Sequence, residues 1–248
     1  MIEIKTFKKV DMKGYSFIEG FPGIGLVGPM SVSYIIDKLG MEYIGYMESP
    51  NFPPLISIHK SEPMPPIRLY YSKQNKIATI FAEFAVPLDL VYELSDTIYS
   101  FLKANGMSRI YSISGTPIPT DATAQQKAPY AVASKQSLLK SAVSSGLQPI
   151  REGVSTGVGA VLLSRSSIDG FDNINVMVPV QQGILDPIYA QVAIKSLNKL
   201  MMLDIDTSDL EKEAQAVETK IREIISKHKE SHDSYKKSVG ASGPSMYA

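Results

Sequence analysis

The sequence predicts a three-layer α/β domain, a mixed and mostly parallel sheet flanked by helices, with a C-terminal helical extension. Three observations carry this reading. The apolar run 15–18 leads through a glycine-rich loop, 20–29, into a helical stretch at 30–39. Residues 76–84, 87–105 and 109–114 read as strand, helix and strand, the order that builds a parallel sheet. After Asp204 the apolar positions change to alternate steps of four and three along a charged helix.

Composition bounds the function. The chain has 248 residues, 44% hydrophobic and 20% charged, enough apolar material for a sizeable core. Lys plus Arg and Asp plus Glu both number 25, so the formal net charge is zero and there is no electrostatic case for nucleic acid or an anionic membrane. Cysteine is absent, which removes disulfides and thiolate metal sites. A histidine-based site has only His59, His228 and His232 to use. The start Met1-Ile2-Glu3-Ile4-Lys5 lacks the basic region and apolar core of a signal peptide, and no run of about 18 apolar residues occurs. A cytoplasmic protein without membrane insertion is expected.

The elements follow in order. Residues 1–10 alternate weakly and read as an edge strand, with a second strand at 15–19. The helix after the first glycine loop is apolar on most sides, so it is expected between the sheet and a further layer or subunit, with Gly40 as its stop. Residues 42–47 read as a strand, 50–54 as a loop, 55–59 as a short strand and 62–66 as a proline-rich loop. Strands at 67–71 and 76–84 meet at the turn 72–75, and this meander makes the sheet mixed. Leu90, Val91, Leu94, Ile98, Phe101 and Leu102 recur at helical spacing within 87–105. Residues 116–128 lack any period and read as a loop, 130–145 as a helix, 149–150 as the start of a short strand and 153–159 as a second glycine loop. The run 160–165 continues apolar, 173–180 is the last strand, and 188–203 is a helix entered through Asp186-Pro187.

Ser208-Asp209-Leu210-Glu211 has the form of a capping box that opens a helix reaching about Tyr235. Its seam, Leu210, Ala214, Val217, Ile221 and Ile224, spans about two heptads before the seam positions turn polar at His228 and Ser231. That is too short for an independent coiled coil, so these five residues are expected at an oligomer interface held by other contacts as well. The resulting boundaries are 1–205 for the α/β core domain, 206–238 for the helical extension and 239–248 for a flexible tail ending in Met246, Tyr247 and Ala248.

Two loops are candidate ligand sites. Gly23, Gly25 and Gly28 fit G-x-G-x-x-G between strand and helix, the setting in which a pyrophosphate rests on a helix N-terminus, and Glu42 stands at the distance of a ribose-binding acid. Against this, Pro22 and Pro29 crowd the loop, and Pro29 removes a donor where the helix should offer N–H groups. The competing reading is a tight turn with close packing. Gly153, Gly157 and Gly159, with Ser155 and Thr156, have the makings of an anion nest, but a second close strand–helix junction is favoured. No Walker loop, G-x-S-x-G elbow, H-E-x-x-H or histidine triad occurs, so no catalytic role, cofactor or metal is expected. His59 reads as structural, while His228 and His232 have a metal-compatible spacing but no third ligand in view. The alternative function is a nucleotide- or nucleoside-binding enzyme using the two loops. The tail points elsewhere: a mobile tether ending in an apolar residue, a tyrosine and a carboxylate suits insertion into a partner's pocket.

The run Phe21-Pro22-Gly23-Ile24-Gly25-Leu26-Val27-Gly28 is similar to the signature of the proteasome-assembly-chaperone 2 family. The 153–159 loop, Asp186-Pro187 and the 188–203 helix follow in that family's order, and the resemblance covers about residues 1–225. It implies a nucleoside-phosphorylase-like fold without an established catalytic site. It also implies an archaeal homo-oligomer, trimer to pentamer, that partners the 20S proteasome core. In some members a C-terminal hydrophobic-Tyr-any motif docks between α-subunits of the core, and Met246, Tyr247 and Ala248 match that motif residue by residue. The function that the resemblance implies is assembly chaperone-like or activator-like binding to the 20S α-ring, without catalysis.

Overall fold

The computed structural model describes residues 1–119, 128–181 and 184–210. In chain order the strands are β1 (Glu3–Thr6), β2 (Ser16–Gly20), β3 (Glu42–Glu48), β4 (Ser57–His59), β5 (Glu62–Met64), β6 (Ile67–Ser72), β7 (Ile77–Ala82), β8 (Arg109–Ile118), β9 (Tyr130–Ala133), β10 (Gln148–Pro149) and β11 (Asp172–Gln181). The helices are α1 (Val27–Lys38), α2 (Val91–Ala104), α3 (Gln136–Ser144), α4 (Val158–Asp169) and α5 (Pro187–Met201). The main sheet has the order β1-β3-β6-β7-β2-β8-β11-β9-β10. Its centre, β7-β2-β8-β11, is parallel throughout, as is the pair β9–β10. The β1-β3-β6-β7 flank and the β11–β9 pair are antiparallel. The sheet is thus mixed, with the parallel part where strand–helix–strand units cross over.

Three layers follow from alternation along the strands. Phe17 and Ile18 are consecutive on β2 and both are buried, so they enter opposite cores. Ile18 packs with Met30 and Ile35 of α1, Ala142 of α3 and Ile194 of α5. Phe17 packs with Leu94 and Ile98 of α2 and Leu162 of α4. Leu94, Ile98 and Leu102 recur every four residues and are fully buried, so the periodicity that predicted α2 is also what seats it. Each such side chain contributes about 1.5–3 kcal/mol of transfer free energy.

Several boundaries differ from expectation. Helix α1 starts at Val27, which places Gly28 and Pro29 in its first turn, where the N–H that proline lacks has no intrahelical acceptor to lose. Residues 62–66 are not all loop, because β5 pairs with β4 in a separate two-stranded ribbon. Its two-residue turn holds Lys60 and Ser61 at φ of 51° and 67°, the left-handed geometry of a tight hairpin reached without glycine. Residues 130–145 divide into strand β9 and helix α3, since pairing with β11 overrides the local helical pattern at 130–133. The apolar run 160–165 lies inside α4.

The chain after α5 returns across the first helical layer. The Asn198 side chain accepts from the Ile205 N–H at 3.2 Å and donates to the Ile205 carbonyl at 2.9 Å. The Tyr34 hydroxyl donates to the Asp206 carbonyl at 2.8 Å, and Gln191 Nε2 to that of Thr207 at 3.3 Å. Ile205 and Leu210 enter the same core as α1 and α5, with Leu210 only 1% exposed. Packing of the domain therefore runs past residue 205. Leu210, the first residue of the expected seam, packs into the core of this chain. The Ser208 hydroxyl, expected to cap a helix, donates to Asp206 Oδ2 at 2.7 Å. Ala214, Val217, Ile221, Ile224, His228, His232, Met246, Tyr247 and Ala248 lie outside the described residues.

Candidate functional site

Strands β2, β8 and β11 run parallel, so their carboxyl ends meet at one edge of the sheet. β2 lies between β7 and β8, and the chain leaves it into α1 on one face and leaves β7 into α2 on the other. A crevice at such a switch point is the usual ligand position in α/β sheets. The register brings three polar residues into a row across it: Glu19 lies opposite Ser112, and Ser112 opposite Asn175. All three are buried, Glu19 to 2% exposure. They face the α2/α4 layer, since Phe17 and Ile110, two residues back on β2 and β8, belong to that core.

The first turn of α4 rests directly on this row. A Cβ on Gly159 would stand 3.2 Å from both Glu19 Oε2 and Ser112 Cβ, so a side chain there would need these neighbours to give by a few tenths of an ångström. Gly157 precedes the helix at φ +90°, a conformation that favours glycine. Glu19 Oε1 accepts from the Phe21 N–H at 3.2 Å, and Asn175 Oδ1 accepts from the Ser114 hydroxyl at 3.0 Å. Glu19 Oε2 and Ser112 Oγ are buried beside each other beneath Gly159. Burial pushes the Glu19 carboxyl up to about 7, against the opposing effects of the Phe21 N–H and the neighbouring Ser112.

Both glycine loops close on one cavity of about 50 Å³, bordered by Glu19, Gly23, Gly28, Ser114, Gly157 and Gly159. It adjoins a cleft of about 290 Å³ walled by Phe21, Pro22, Val86, Val91 and Met177. Leu88 and Val154 stand at that cleft's rim at 85% and 94% exposure, with Tyr92 exposed close by, so the mouth is apolar. Among the described residues Glu19 is the only charged side chain bordering either space.

The predicted residues divide between packing and cavity. Gly28 is required because a Cβ there would lie 2.8 Å from the Phe21 carbonyl oxygen and 3.0 Å from that of Ile113. Gly25 has φ +69° and leaves a Cβ only 3.0 Å from Val180. Gly23 has open space. Gly153 lies in a neighbouring cleft with Arg151 and Glu152. Close packing thus accounts for Gly25 and Gly28, and Pro29 leaves the first turn of α1 one donor short. Glu42 does not border the cavity; it sits exposed on β3 and pairs with Lys8.

His59 belongs to a second cluster. Arg68 and Glu83 are each 2% exposed and paired, and His59 Nε2 lies 3.0 Å from the same carboxylate. Burial alone would push the Glu83 carboxyl up, but His59 and the Arg68 guanidinium outweigh it and bring it down to about 2. The cluster ties the β4–β5 ribbon to the sheet, so His59 is structural, as its sequence context implied. Among the described residues no group of three or more His, Cys, Asp or Glu is placed to hold a metal ion, and no helix is long and apolar enough to cross a membrane.

Sequence reasoning did not single out Glu19, Ser112, Asn175, Gly115, Arg68 or Glu83. Two of these carried a signal. Glu19 and Glu83 are carboxylates at the ends of apolar strands in a sheet covered on both faces, where a charge has no solvent to face.

Comparison with known proteins places the fold in context. A family model described as the PAC2 family matches residues 17–225. An uncharacterized protein of Methanocaldococcus jannaschii is 28% identical over 220 residues, 89% of each chain. The crystal structure of PbaA from Pyrococcus furiosus, an archaeal homolog of proteasome-assembly chaperone, matches with a TM-score of 0.80 at 26% identity, over 92% of this chain and 99% of that one. A protein of unknown function from Thermoplasma acidophilum matches with a TM-score of 0.82 at 25% identity, over 90% of this chain and 91% of that one.

Proposed function

The chain belongs to the PAC2 family, and from that premise we propose that it is a non-catalytic, oligomeric proteasome-binding protein, assembly chaperone-like or activator-like. The observation that carries this reading is the likeness to PbaA, a homolog of proteasome-assembly chaperone, across 92% of this chain.

In the proposed mechanism the domains assemble in the cytoplasm into a trimer to pentamer, aided by the seam Ala214, Val217, Ile221 and Ile224. Each subunit presents one tail to the α-ring of the 20S core. Met246 fills an apolar pocket, Tyr247 packs and donates a hydrogen bond, and the carboxylate of Ala248 meets a basic group. One such contact is weak, but simultaneous engagement of several tails raises avidity by about 10²–10⁴-fold. The exposed apolar side chains Leu88, Tyr92 and Val154 offer a further surface for protein contact.

Capture of purified 20S core by the full chain, compared with a chain lacking residues 246–248, tests the reading. Loss of capture with unchanged thermal unfolding and unchanged oligomer size is expected. Equal capture by the shortened chain would overturn the role of the tail, and no capture by the full chain would overturn the proteasome as partner.

A further inference from the structure

The β4–β5 ribbon stands apart from the main sheet. Among the described residues its strands pair only with each other, and its turn holds Lys60 and Ser61 in the left-handed region. Ile58 on the ribbon and Ile56 just before it are 66% and 62% exposed, so their burial does little to hold the ribbon down. What fastens it is polar. His59 Nε2 lies 3.0 Å from both oxygens of Glu83, and the neighbouring Ser57 hydroxyl helps to hold the same carboxylate ionised. Arg68 holds only the exit from the ribbon, at the Pro65 carbonyl.

The ribbon is also one wall of a cleft of about 450 Å³. Asp37 and Met41 border this cleft on the α1 side and Glu62 and Met64 on the ribbon side, with Arg68 and Glu83 between them. The attachment of that wall is titratable. Glu83, brought down to about 2, stays ionised at any ordinary pH, and Arg68 is paired to it and bonded to Tyr70. Glu62 faces His59 across the ribbon, Lys60 follows it in the turn, and Asp37 shares the cleft from α1. Carboxylates, lysine and arginine ordinarily keep their charges between about pH 5 and 8, whereas histidine ordinarily changes its own there. Protonated, His59 makes a charge-assisted bond to Glu83; neutral, it keeps a bond of about half that strength.

We propose that the β4–β5 ribbon is a pH-sensitive strap: protonated His59 pins it to Glu83, and loss of that proton lets it lift and open the cleft beside α1. The sign follows from linkage. Closure is strongest at low pH and weakens as pH rises through the histidine titration. Arg68 keeps Glu83 in place in both states, so the ribbon moves and the sheet does not. The strap works within one chain and does not depend on proteasome docking.

The chain contains no cysteine, so one introduced thiol reports opening. Met41→Cys places it on the cleft wall, where the native side chain is 7% exposed. Ser33→Cys, bordering the same cleft, repeats the reading with an isosteric change. The alkylation rate in the folded chain, divided by that in urea at the same pH, gives the open fraction. Ser95→Cys, buried on α2, gives the same ratio for global unfolding and so absorbs any effect of Glu19, which titrates at about 7. Between about pH 5.5 and about pH 8 the ratio for Met41→Cys should rise about tenfold relative to that for Ser95→Cys, the shift expected when a charge-assisted bond is halved. With His59→Gln, whose donor is neutral at every pH, the rise should vanish and the ratio should stay at its high-pH level. A cleft ratio that tracks Ser95→Cys at both pH values overturns the proposal, because the cleft would then open only with the whole fold. So does a rise that persists in His59→Gln, which would assign the titration to another group.

Discussion

The guanidinium of Arg68 holds the carboxylate of Glu83 with two nitrogens, Nη2 at 3.0 Å from Oε1 and Nη1 at 3.1 Å from Oε2, where both side chains are only 2% exposed. Tyr70 and the Pro65 carbonyl accept two further Arg68 N–H groups at 3.0 Å each, so the buried cation is well satisfied. Breaking such a pair costs more than the pair is worth, since the surviving charge is left buried. Glu83→Gln is therefore expected to destabilise the fold by about 3–5 kcal/mol and to lower the midpoint of thermal unfolding by about 10 °C. His59→Ala should cost less, because Arg68 keeps its partner. Circular dichroism melts of the two variants check the order; equal losses would show that His59 and not Arg68 is the partner on which Glu83 depends.

The pH dependence of stability has two windows of opposite sign. Glu83 has its carboxyl lowered to about 2 when folded, against 4.5 ordinarily. Its contribution is full above about 4.5 and is lost as pH falls toward 2. Glu19 is raised from 4.5 to about 7, so the folded state holds its proton more tightly. Its contribution is full below about 4.5 and is lost as pH rises through 7, a difference on the order of 3 kcal/mol. Glu19→Gln should flatten this decline, and urea midpoints from about pH 4.5 to 8 measure it. A wild-type profile that stays level across that range while the variant also stays level would show the buried carboxyl to be ordinary.

The glycines differ in what they do. A Cβ on Gly115 would lie 2.1 Å from the Ile24 carbonyl oxygen, and one on Gly28 would lie 2.8 Å from that of Phe21. Both obstacles are backbone, so the first glycine loop must move as a unit. Gly115→Ala and Gly28→Ala are each expected to cost about 1–3 kcal/mol or more. Gly23 has φ of −150° and nothing within 4 Å of its missing Cβ, so Gly23→Ala should fall within about 0.5 kcal/mol of wild type. Chemical denaturation of the three variants checks this ranking, and a loss for Gly23→Ala equal to that for Gly28→Ala would overturn the packing account.

What could be read from the sequence was what is written locally. Helix α2 announces itself through Leu94, Ile98 and Leu102, and the β6–β7 hairpin through its turn at 72–75. The strand at 130–133 did not, because its identity comes from pairing with β11, a partner distant in the chain. The β4–β5 ribbon is likewise defined by cross-strand pairing at a turn that lacks glycine. Each glycine loop was visible by itself, but their convergence was not. Glu19, Ser112 and Asn175 form a row only once β2, β8 and β11 are set in register, and register is a property of topology.

Leu210 separates subunit stability from assembly. It stands first in the expected heptad seam, and it is 1% exposed and packed into the core that holds α1 and α5. As a core residue, Leu210→Ala should cost about 2–5 kcal/mol of unfolding free energy. Stability and assembly are coupled when subunits fold and associate together, so measurement in the assembled protein alone would confuse the two. Under the proposed oligomeric reading, Val217→Glu combined with Ile221→Glu supplies the reference: charges at these positions should dissociate the assembly, and light scattering after gel filtration reads this directly. Leu210→Ala placed in that dissociated background should still lower the denaturation midpoint by its full amount, because the cavity it opens lies within one subunit. If the loss disappeared in the dissociated background, the side chain would be acting between subunits and the intrasubunit assignment would fail.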